Sequence, residues 1–139
     1  MAPESFVRAL ETLDEDRFLF SGRGPFYLIG RRHISTMNSW MHRVLSLKIA
    51  SGLCSAYINP EDARKLGIVH GDTVIIFTRN GRIRLPAMVT KEVPPRVVSV
   101  PHGWGVEEAS APEGANINLL ADDQEVDPLS GLPAFNGLR

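Results

Sequence analysis

Turn-forming residues recur at short intervals through the middle of this chain, and they restrict it to short regular elements. The clearest turn signals are His70-Gly71-Asp72, Asn80-Gly81 and Glu92-Val93-Pro94-Pro95. Brief apolar runs lie at 26–29, 56–58, 74–77 and 97–100. Many short strands separated by turns favour a small β-barrel, and 139 residues correspond to about one domain.

A β-hairpin is predicted around Asn80-Gly81, because both central positions of a type I′ turn need positive φ. The run Val74–Phe77 before it is apolar at every position, which predicts a strand buried on both faces. The return strand alternates, with apolar side chains at every second position from Ile83 to Val89. Pro86 within that strand predicts an edge position or a bulge.

Two helices are predicted. In the first, Ala2–Asp16, the side chains of Phe6, Leu10 and Leu13 form one apolar stripe. The second begins at Pro60 with Asn59 as its cap, and Gly67 ends it in a left-handed conformation.

The patterns of three other segments leave their conformation open. Val44–Ser55 fits either a short helix or an extended run that ends at Gly52. Asn116–Leu120 alternates, and an extended conformation would place both of its asparagines on one face. Pro133–Arg139 fits the beginning of a final strand.

Composition excludes several classes of protein. The net charge is −1, so no strong electrostatic attraction to nucleic acid or to a membrane surface is expected. Cys54 is the only cysteine, which rules out an intramolecular disulfide. No run approaches 18 apolar residues, and the N-terminus lacks the pattern of a signal peptide. We expect a soluble protein of the cytoplasm.

The stretch from Ile29 to His42 leaves the first predicted strand and concentrates hydrogen-bond donors, positive charge and an aromatic ring. Its polar and aromatic members are Arg31, Arg32, His33, Asn38, Ser39, Trp40 and His42. Pro101–Gly105 repeats this arrangement with a histidine and a tryptophan between glycines. These groups suit a phosphate-bearing heterocyclic ligand, although a surface loop with solvated arginines has the same composition.

Side-chain catalysis has little support in the sequence. The four histidines are far apart, and no H-E-x-x-H, C-x-x-C or phosphate-binding glycine motif is present. Cys54 lacks the surroundings of a nucleophile, and a buried, inert thiol is the commoner case. The acidic pairs Glu107-Glu108 and Asp122-Asp123 are typical of solvated surface. The residues by themselves indicate a binding module with an unidentified ligand.

The motif G-R-R-H-x(4)-N-S-W-M-H at Gly30–His42 resembles the C-terminal cofactor-binding domain of molybdopterin oxidoreductases of the dimethyl sulfoxide reductase superfamily. Four further motifs match in the same order: N-P-E-D-A-x-x-L-G-I-x-x-G-D at 59–72, P-H-G-W-G at 101–105, G-A-N-I-N-L-L at 114–120, and D-P-L-S-G-x-P-A-F-N-G at 127–137. Each motif is weak by itself, whereas five in one order over residues 26–139 are specific.

The resemblance implies a mainly β fold with short helices, namely a double-psi β-barrel of the aspartate decarboxylase-like type. It also implies a ligand, the bis(molybdopterin guanine dinucleotide) cofactor with molybdenum or tungsten. Matched residue by residue, Gly30, Arg31, Arg32 and His33 would line one pterin–pyrophosphate segment. Asn38, Ser39 and Trp40 would continue that wall, and hydrogen bonds would come from His102, Asn116 and Asn118.

The resemblance further implies a division of labour in which the metal centre performs the redox chemistry. In this family the protein ligand of the metal is a cysteine, selenocysteine or serine of an earlier domain. Cys54 does not match that position, and the iron–sulfur cysteines of many members are absent. We therefore expect one wall of a cofactor cleft, inactive alone, in a formate-dehydrogenase-like or nitrate-reductase-like enzyme.

The expected partners are the remaining domains of such an oxidoreductase or a catalytic large subunit, without nucleic acid or membrane. Residues 1–25 would be a helix and linker at the tail of a preceding domain, and 26–139 the cofactor-binding domain. The alternative is a free-standing double-psi barrel that acts as a small subunit or interaction module without catalysis.

Overall fold

The computed structural model describes residues 3–11, 25–47, 54–105 and 114–122. Five strands dominate these ranges, together with short α-helices and 3-10 helices, so the fold is mainly β. The α-helices with defined bounds are α1 (Glu4–Glu11) and α2 (Pro60–Leu66), and the 3-10 helices are Trp40–Arg43 and Ile117–Leu120. The strands are β1 (Tyr27–Arg31), β2 (Ala56–Ile58), β3 (Thr73–Phe77), β4 (Arg82–Val89) and β5 (Val97–Pro101).

The strands form one mixed sheet in the order β1-β5-β2-β4-β3. β1 runs parallel to β5, with Tyr27 opposite Val97 and Arg31 opposite Pro101. β2 is antiparallel to β5 and parallel to β4, while β3 and β4 form an antiparallel hairpin. Because β1 and β5 are parallel and in register to their last residues, the loops that follow them leave the sheet side by side.

Apolar side chains from the strands and from the second 3-10 helix make one core. The predicted alternation of β4 is confirmed, since Ile83, Leu85 and Ala87 are buried while Arg82 and Arg84 are exposed. Helix Ile117–Leu120 adds two of the least exposed large side chains, Ile117 at 1% and Leu120 at 0%. The core therefore extends from the sheet to the segment that carries the predicted asparagine pair.

Helix α2 begins and ends as its sequence predicts. The Asn59 side chain accepts a hydrogen bond from the backbone N–H of Glu61 at 2.9 Å, and Pro60 occupies the first turn. Gly67 closes the helix with φ of 69°. Asn59 also donates from Nδ2 to the carbonyl oxygen of Val93 at 2.8 Å, so the cap ties the helix to the turn before β5.

Strand β3 is less buried than its apolar sequence predicts. It lies at the end of the strand order, and Ile75 and Phe77 are 49% and 74% exposed. Only Val74 and Ile76, on the opposite face, pack against the core. The prediction of a strand buried on both faces is therefore wrong, because one face of this outer strand is open.

The hairpin between β3 and β4 is present, but the predicted type I′ turn is wrong. Neither Asn80 nor Gly81 has positive φ, and residues 78–81 connect the paired ends of the two strands. Asn80 instead donates from Nδ2 to the carbonyl oxygen of Ala121 at 3.1 Å. A Cβ at Gly81 would collide with the backbone oxygen of Leu119, so glycine allows the two backbones to approach closely here.

Pro86 does not mark an edge strand, because β4 lies between β2 and β3. It pairs with Thr73 at the end of the β3 ladder, one residue before Ala87 begins the ladder with β2. The missing N–H thus falls where β4 changes its pairing partner, which tolerates proline without an edge position.

Some of the segments predicted from the sequence are described only in part. Helix α1 lies within the predicted Ala2–Asp16, of which residues 12–16 lie outside the described ranges. Residues 45–47 of the ambiguous segment are helical, while 48–53 and the predicted strand Pro133–Arg139 also lie outside those ranges. No helix among the described residues has the length and hydropathy needed to cross a membrane.

Asn59→Ala should lower the free energy of unfolding by about 2–3 kcal/mol, because the helix cap and the bond to Val93 are both lost. Asn59→Ser is the matched control, since serine keeps the cap but does not reach Val93. Urea unfolding of the three proteins measures the difference. Equal stability of the alanine and serine variants would contradict the capping role.

Candidate functional site

The two predicted ligand loops meet at the ends of β1 and β5. The backbone N–H of His102 donates to the carbonyl oxygen of Arg31 at 3.0 Å and extends the strand pairing by one bond. Gly103, with φ of 85°, lies so close to Asn38 that an added Cβ would stand 2.5 Å from the Asn38 carbonyl carbon. The sheet thus brings together segments about 65 residues apart in sequence.

A third segment joins these loops from the C-terminal side. Gly105 approaches Asn116 so closely that a Cβ there would lie 2.5 Å from the Asn116 nitrogen. Asn116 caps the helix Ile117–Leu120, and its Oδ1 accepts from the Asn118 N–H at 3.1 Å. The segment 116–120 is not extended, which was one conformation that its alternation allowed; it forms a 3-10 helix that brings Ile117 and Leu120 into the core.

Trp104 stands where the three segments meet. Its ring is 6% exposed, and Gly114 lies against it at a distance that leaves no room for a Cβ. The ring of His33 meets it nearly perpendicularly, with centroids 6.1 Å apart, and that of His42 lies tilted at 4.5 Å. Trp104 was not among the residues predicted to bind the cofactor, although its two flanking glycines signal a tightly packed side chain.

Thr36 is a second residue that the sequence did not single out. It is 1% exposed, and its Oγ1 donates to the carbonyl oxygen of His33 at 3.1 Å. Its own carbonyl oxygen accepts from the N–H of Met41. Thr36 therefore shapes the turn on which Asn38, Ser39 and Trp40 lie.

Arg31 is largely engaged inside the protein. Nη1 donates to the carbonyl oxygen of Ser99 at 3.0 Å, and Nη2 donates to that of Ser55 at 3.1 Å. The guanidinium carbon lies 3.5 Å from the centroid of the Tyr57 ring, a cation–π contact. Burial lowers the pKa of Arg31, and the interaction with Tyr57 opposes that shift. Arg31 braces β1 against β5 and β2, and its role towards a cofactor stays a prediction.

Two of the predicted histidines are biased towards the neutral form. Burial lowers the pKa of His33, and Arg31, His42 and His102 lower it further. The pKa of His102 is lowered by burial and then by Arg32. A neutral imidazole offers one donor and one acceptor, so these rings suit the mixed edges of a heterocycle.

Several predicted site residues present their side chains outward. Arg32, Asn38, Trp40 and Asn118 are exposed, and Trp40 is 82% exposed. Ser39 is half-buried and precedes the 3-10 helix without a side-chain cap, and Gly30 pairs with Val100 within the sheet. Asn38 has φ of 59° after Met37 at 42°, a pair of left-handed residues of the kind that cluster at ligand sites.

Cys54 is buried, as its surroundings in the sequence suggest. Its Sγ accepts a hydrogen bond from the N–H of Ala115 at 3.5 Å, and burial raises the pKa of the thiol. A thiol with a raised pKa is a poor nucleophile. Within the described part of the chain, no group of three or more His, Cys, Asp or Glu residues is placed to hold a metal ion.

Among the described residues, no hydrogen-bond partner reaches the buried nitrogens Arg31 Nε, His33 Nδ1 and Trp104 Nε1. An unpaired buried donor costs about 1–3 kcal/mol, so such atoms are uncommon without a ligand or water to satisfy them. Pyrophosphate and pterin groups are rich in acceptors. The residues present therefore fit the cofactor implied by the sequence motifs.

Gly103→Ala should destabilise the protein more than Gly71→Ala. Both glycines have φ near 90°, but a Cβ at Gly71 meets no atom within 4 Å. Gly71→Ala, the control, should lower the free energy of unfolding by about 1–2 kcal/mol through the backbone conformation alone. Gly103→Ala should lower it by about 1–3 kcal/mol more, because its Cβ would be overpacked against Asn38. Urea unfolding measures both, and equal losses would contradict the close approach of the two loops.

Stability should fall as the pH drops below about 6.5, the ordinary pKa of histidine. The pKa of His33 is lower when folded, so the unfolded chain binds the proton first, and stability declines until the pH passes the folded pKa. His33→Gln should reduce this decline, and His70→Gln, on the exposed turn before β3, should keep it. Urea midpoints between about pH 5 and pH 8 test this, and a decline unchanged in His33→Gln would refute it.

Comparison with curated proteins finds several relatives. The chain is 38% identical over 82 residues to a protein named periplasmic nitrate reductase of Desulfovibrio desulfuricans, a match that covers 55% of this chain and 10% of that protein. It is 34% identical over 116 residues to dimethyl sulfoxide reductase DmsA of Escherichia coli, covering 82% of this chain and 14% of the relative. The chain thus spans about a tenth to a seventh of the length of these relatives.

Among solved structures, acetylene hydratase from Pelobacter acetylenicus matches with a TM-score of 0.70 and 24% identity. The match covers 81% of this chain and 17% of that one, and it supports a shared fold. The model of the family described as "Molydopterin dinucleotide binding domain" matches residues 26–139. These matches confirm the resemblance inferred from the five motifs, and the chain belongs to the family of molydopterin dinucleotide binding domains.

Proposed function

We propose that this chain holds the bis(molybdopterin guanine dinucleotide) cofactor of a molybdenum or tungsten oxidoreductase. The observation that carries the proposal is the convergence of three predicted binding segments on Trp104. Family membership gives the class of ligand, and the bis form with its guanines follows from the resemblance of the motifs.

The outward-facing residues would make the first contacts with such a ligand. Arg32 supplies positive charge for a pyrophosphate, and Trp40 offers a flat aromatic surface for a ring system. Asn38, Ser39, His102 and Asn118 supply short polar groups around them. When bound, the metal centre supplies the redox chemistry, and this chain orients the cofactor and shields it from water.

The double-psi β-barrel is also proposed for residues 26–139, with residues 1–25 as a separate helix and linker. A mixed sheet with two parallel pairs and the 0.70 TM-score to acetylene hydratase support the barrel. The family match begins at residue 26, which supports the domain boundary.

The catalytic unit that we propose is larger than this chain. Relatives named as reductases are several times longer, so the remaining domains or a catalytic large subunit would complete the cofactor cleft. This chain alone would then be inactive. A location in the cytoplasm stays a prediction, and one relative bears the name periplasmic nitrate reductase.

A free-standing barrel without catalysis is the second candidate function. The exposed apolar side chains of Ile75 and Phe77 on β3 favour it, since such surface residues occur at contacts between proteins. The mass of the native polypeptide in its source cells, measured with an antibody against this domain, separates the two. A band several times larger than 15.3 kDa supports the oxidoreductase, and a band at that mass supports the free-standing barrel.

His102→Ala and Asn118→Ala should each reduce the pterin content of the native protein several-fold, because a lost hydrogen bond to a ligand costs about 1–2 kcal/mol. Pterin per polypeptide is measured as its fluorescent oxidation product. His70→Ala is the control, as His70 lies on an exposed turn before β3. Unchanged pterin in both test variants would show that the binding residues are wrongly placed.

A further inference from the structure

Trp104 has a buried donor that its packing does not explain. The residue is 6% exposed, and its Nε1–H has no acceptor among the residues that the structure describes. We propose that Trp104 is a cofactor-binding residue whose indole N–H donates a hydrogen bond to an acceptor atom of the dinucleotide cofactor. This inference rests on the proposed function and adds a residue to the site.

The indole N–H is stronger evidence for a bound acceptor than the other two unpaired nitrogens. Its N–H can only donate, whereas the unpaired Nδ1 of His33 becomes an acceptor in the other tautomer. The remaining nitrogen, Arg31 Nε, belongs to a guanidinium already held by three other hydrogen bonds. Only the arrival of an acceptor removes the cost of burying the Trp104 donor.

Trp104 also occupies the right place for a ligand that spans the site. Its neighbour Gly103 abuts Asn38, and its other neighbour, Gly105, abuts Asn116. The ring itself contacts His33 and His42. An acceptor bound to Trp104 would therefore lie between the two groups of predicted cofactor residues.

A ligand would reach the buried indole nitrogen if the turn between His33 and His42 shifted. That turn holds Met37 and Asn38, both left-handed, and it rests on Trp104 through His33 and His42. Left-handed non-glycine residues persist only where the surroundings impose them. A ligand that satisfies the donor would offset the cost of moving a turn that is already strained.

A bound water is the other source of an acceptor, and the test separates it from the cofactor. In the native protein, the tryptophan analogue 3-benzothienylalanine is placed at position 104, where sulfur replaces the N–H with little change of shape. Trp104→Phe is the second variant, and Phe6→Leu, an exposed aromatic on α1, is the control. Pterin retained after buffer exchange and the thermal midpoint of the cofactor-free protein are both measured.

We expect the analogue to speed cofactor loss about tenfold while the thermal midpoint stays within a few degrees of the parent protein. The control should retain pterin normally. Full retention of pterin by the analogue-containing protein overturns the inference, whether or not its thermal midpoint changes. An N–H that binds only water, or that has only a structural role, would give this result. Loss in Trp104→Phe alone overturns it too, because only packing would then matter. A parent protein without any pterin would instead overturn the proposed function.

Discussion

The parallel pairing of β1 with β5 is the constraint on which the site depends. Parallel strands in register end at the same edge, so the loops after Arg31 and Pro101 start next to each other. The bond from the His102 N–H to the Arg31 carbonyl continues the pairing into the loops, and the Arg31 guanidinium ties β1 to the backbones of Ser99 and Ser55. Without this pairing, the two polar loops would have no reason to meet.

Close packing turns these adjacent loops into a site. Another segment of the site occupies the space that a Cβ would need at three glycines: Gly103, Gly105 and Gly114. Buried Trp104 lies among them against the rings of the half-buried His33 and His42, whereas Arg32 and Trp40 are exposed. Trp104 carries an unpaired indole donor and burial lowers the pKa of His33, while the exposed residues supply positive charge and a flat aromatic surface.

Local chemistry explains where sequence-based prediction succeeded. The cap at Asn59, the left-handed end at Gly67 and the alternation along β4 depend on residues within one turn or one strand, so their patterns were sufficient. Prediction failed where distant contacts override local preference. Asn80 donates to Ala121 and Gly81 lies against Leu119, so the two residues do not form a type I′ turn. Asn116 caps a 3-10 helix, Ile117–Leu120, two of whose side chains reach the core.

The sequence by itself determined the mainly β class, the two donor-rich loops and, through five ordered motifs, the family of the chain. It could do so because strand periodicity, turn residues and motif spacing are properties of neighbouring residues. Only the tertiary structure decided that Arg31 is engaged as an internal brace and that Trp104 is the centre of the site. The Arg31 contact joins residues 68 positions apart and the Trp104–His33 contact joins residues 71 positions apart, and the pattern of neighbouring residues does not show which distant groups a side chain meets.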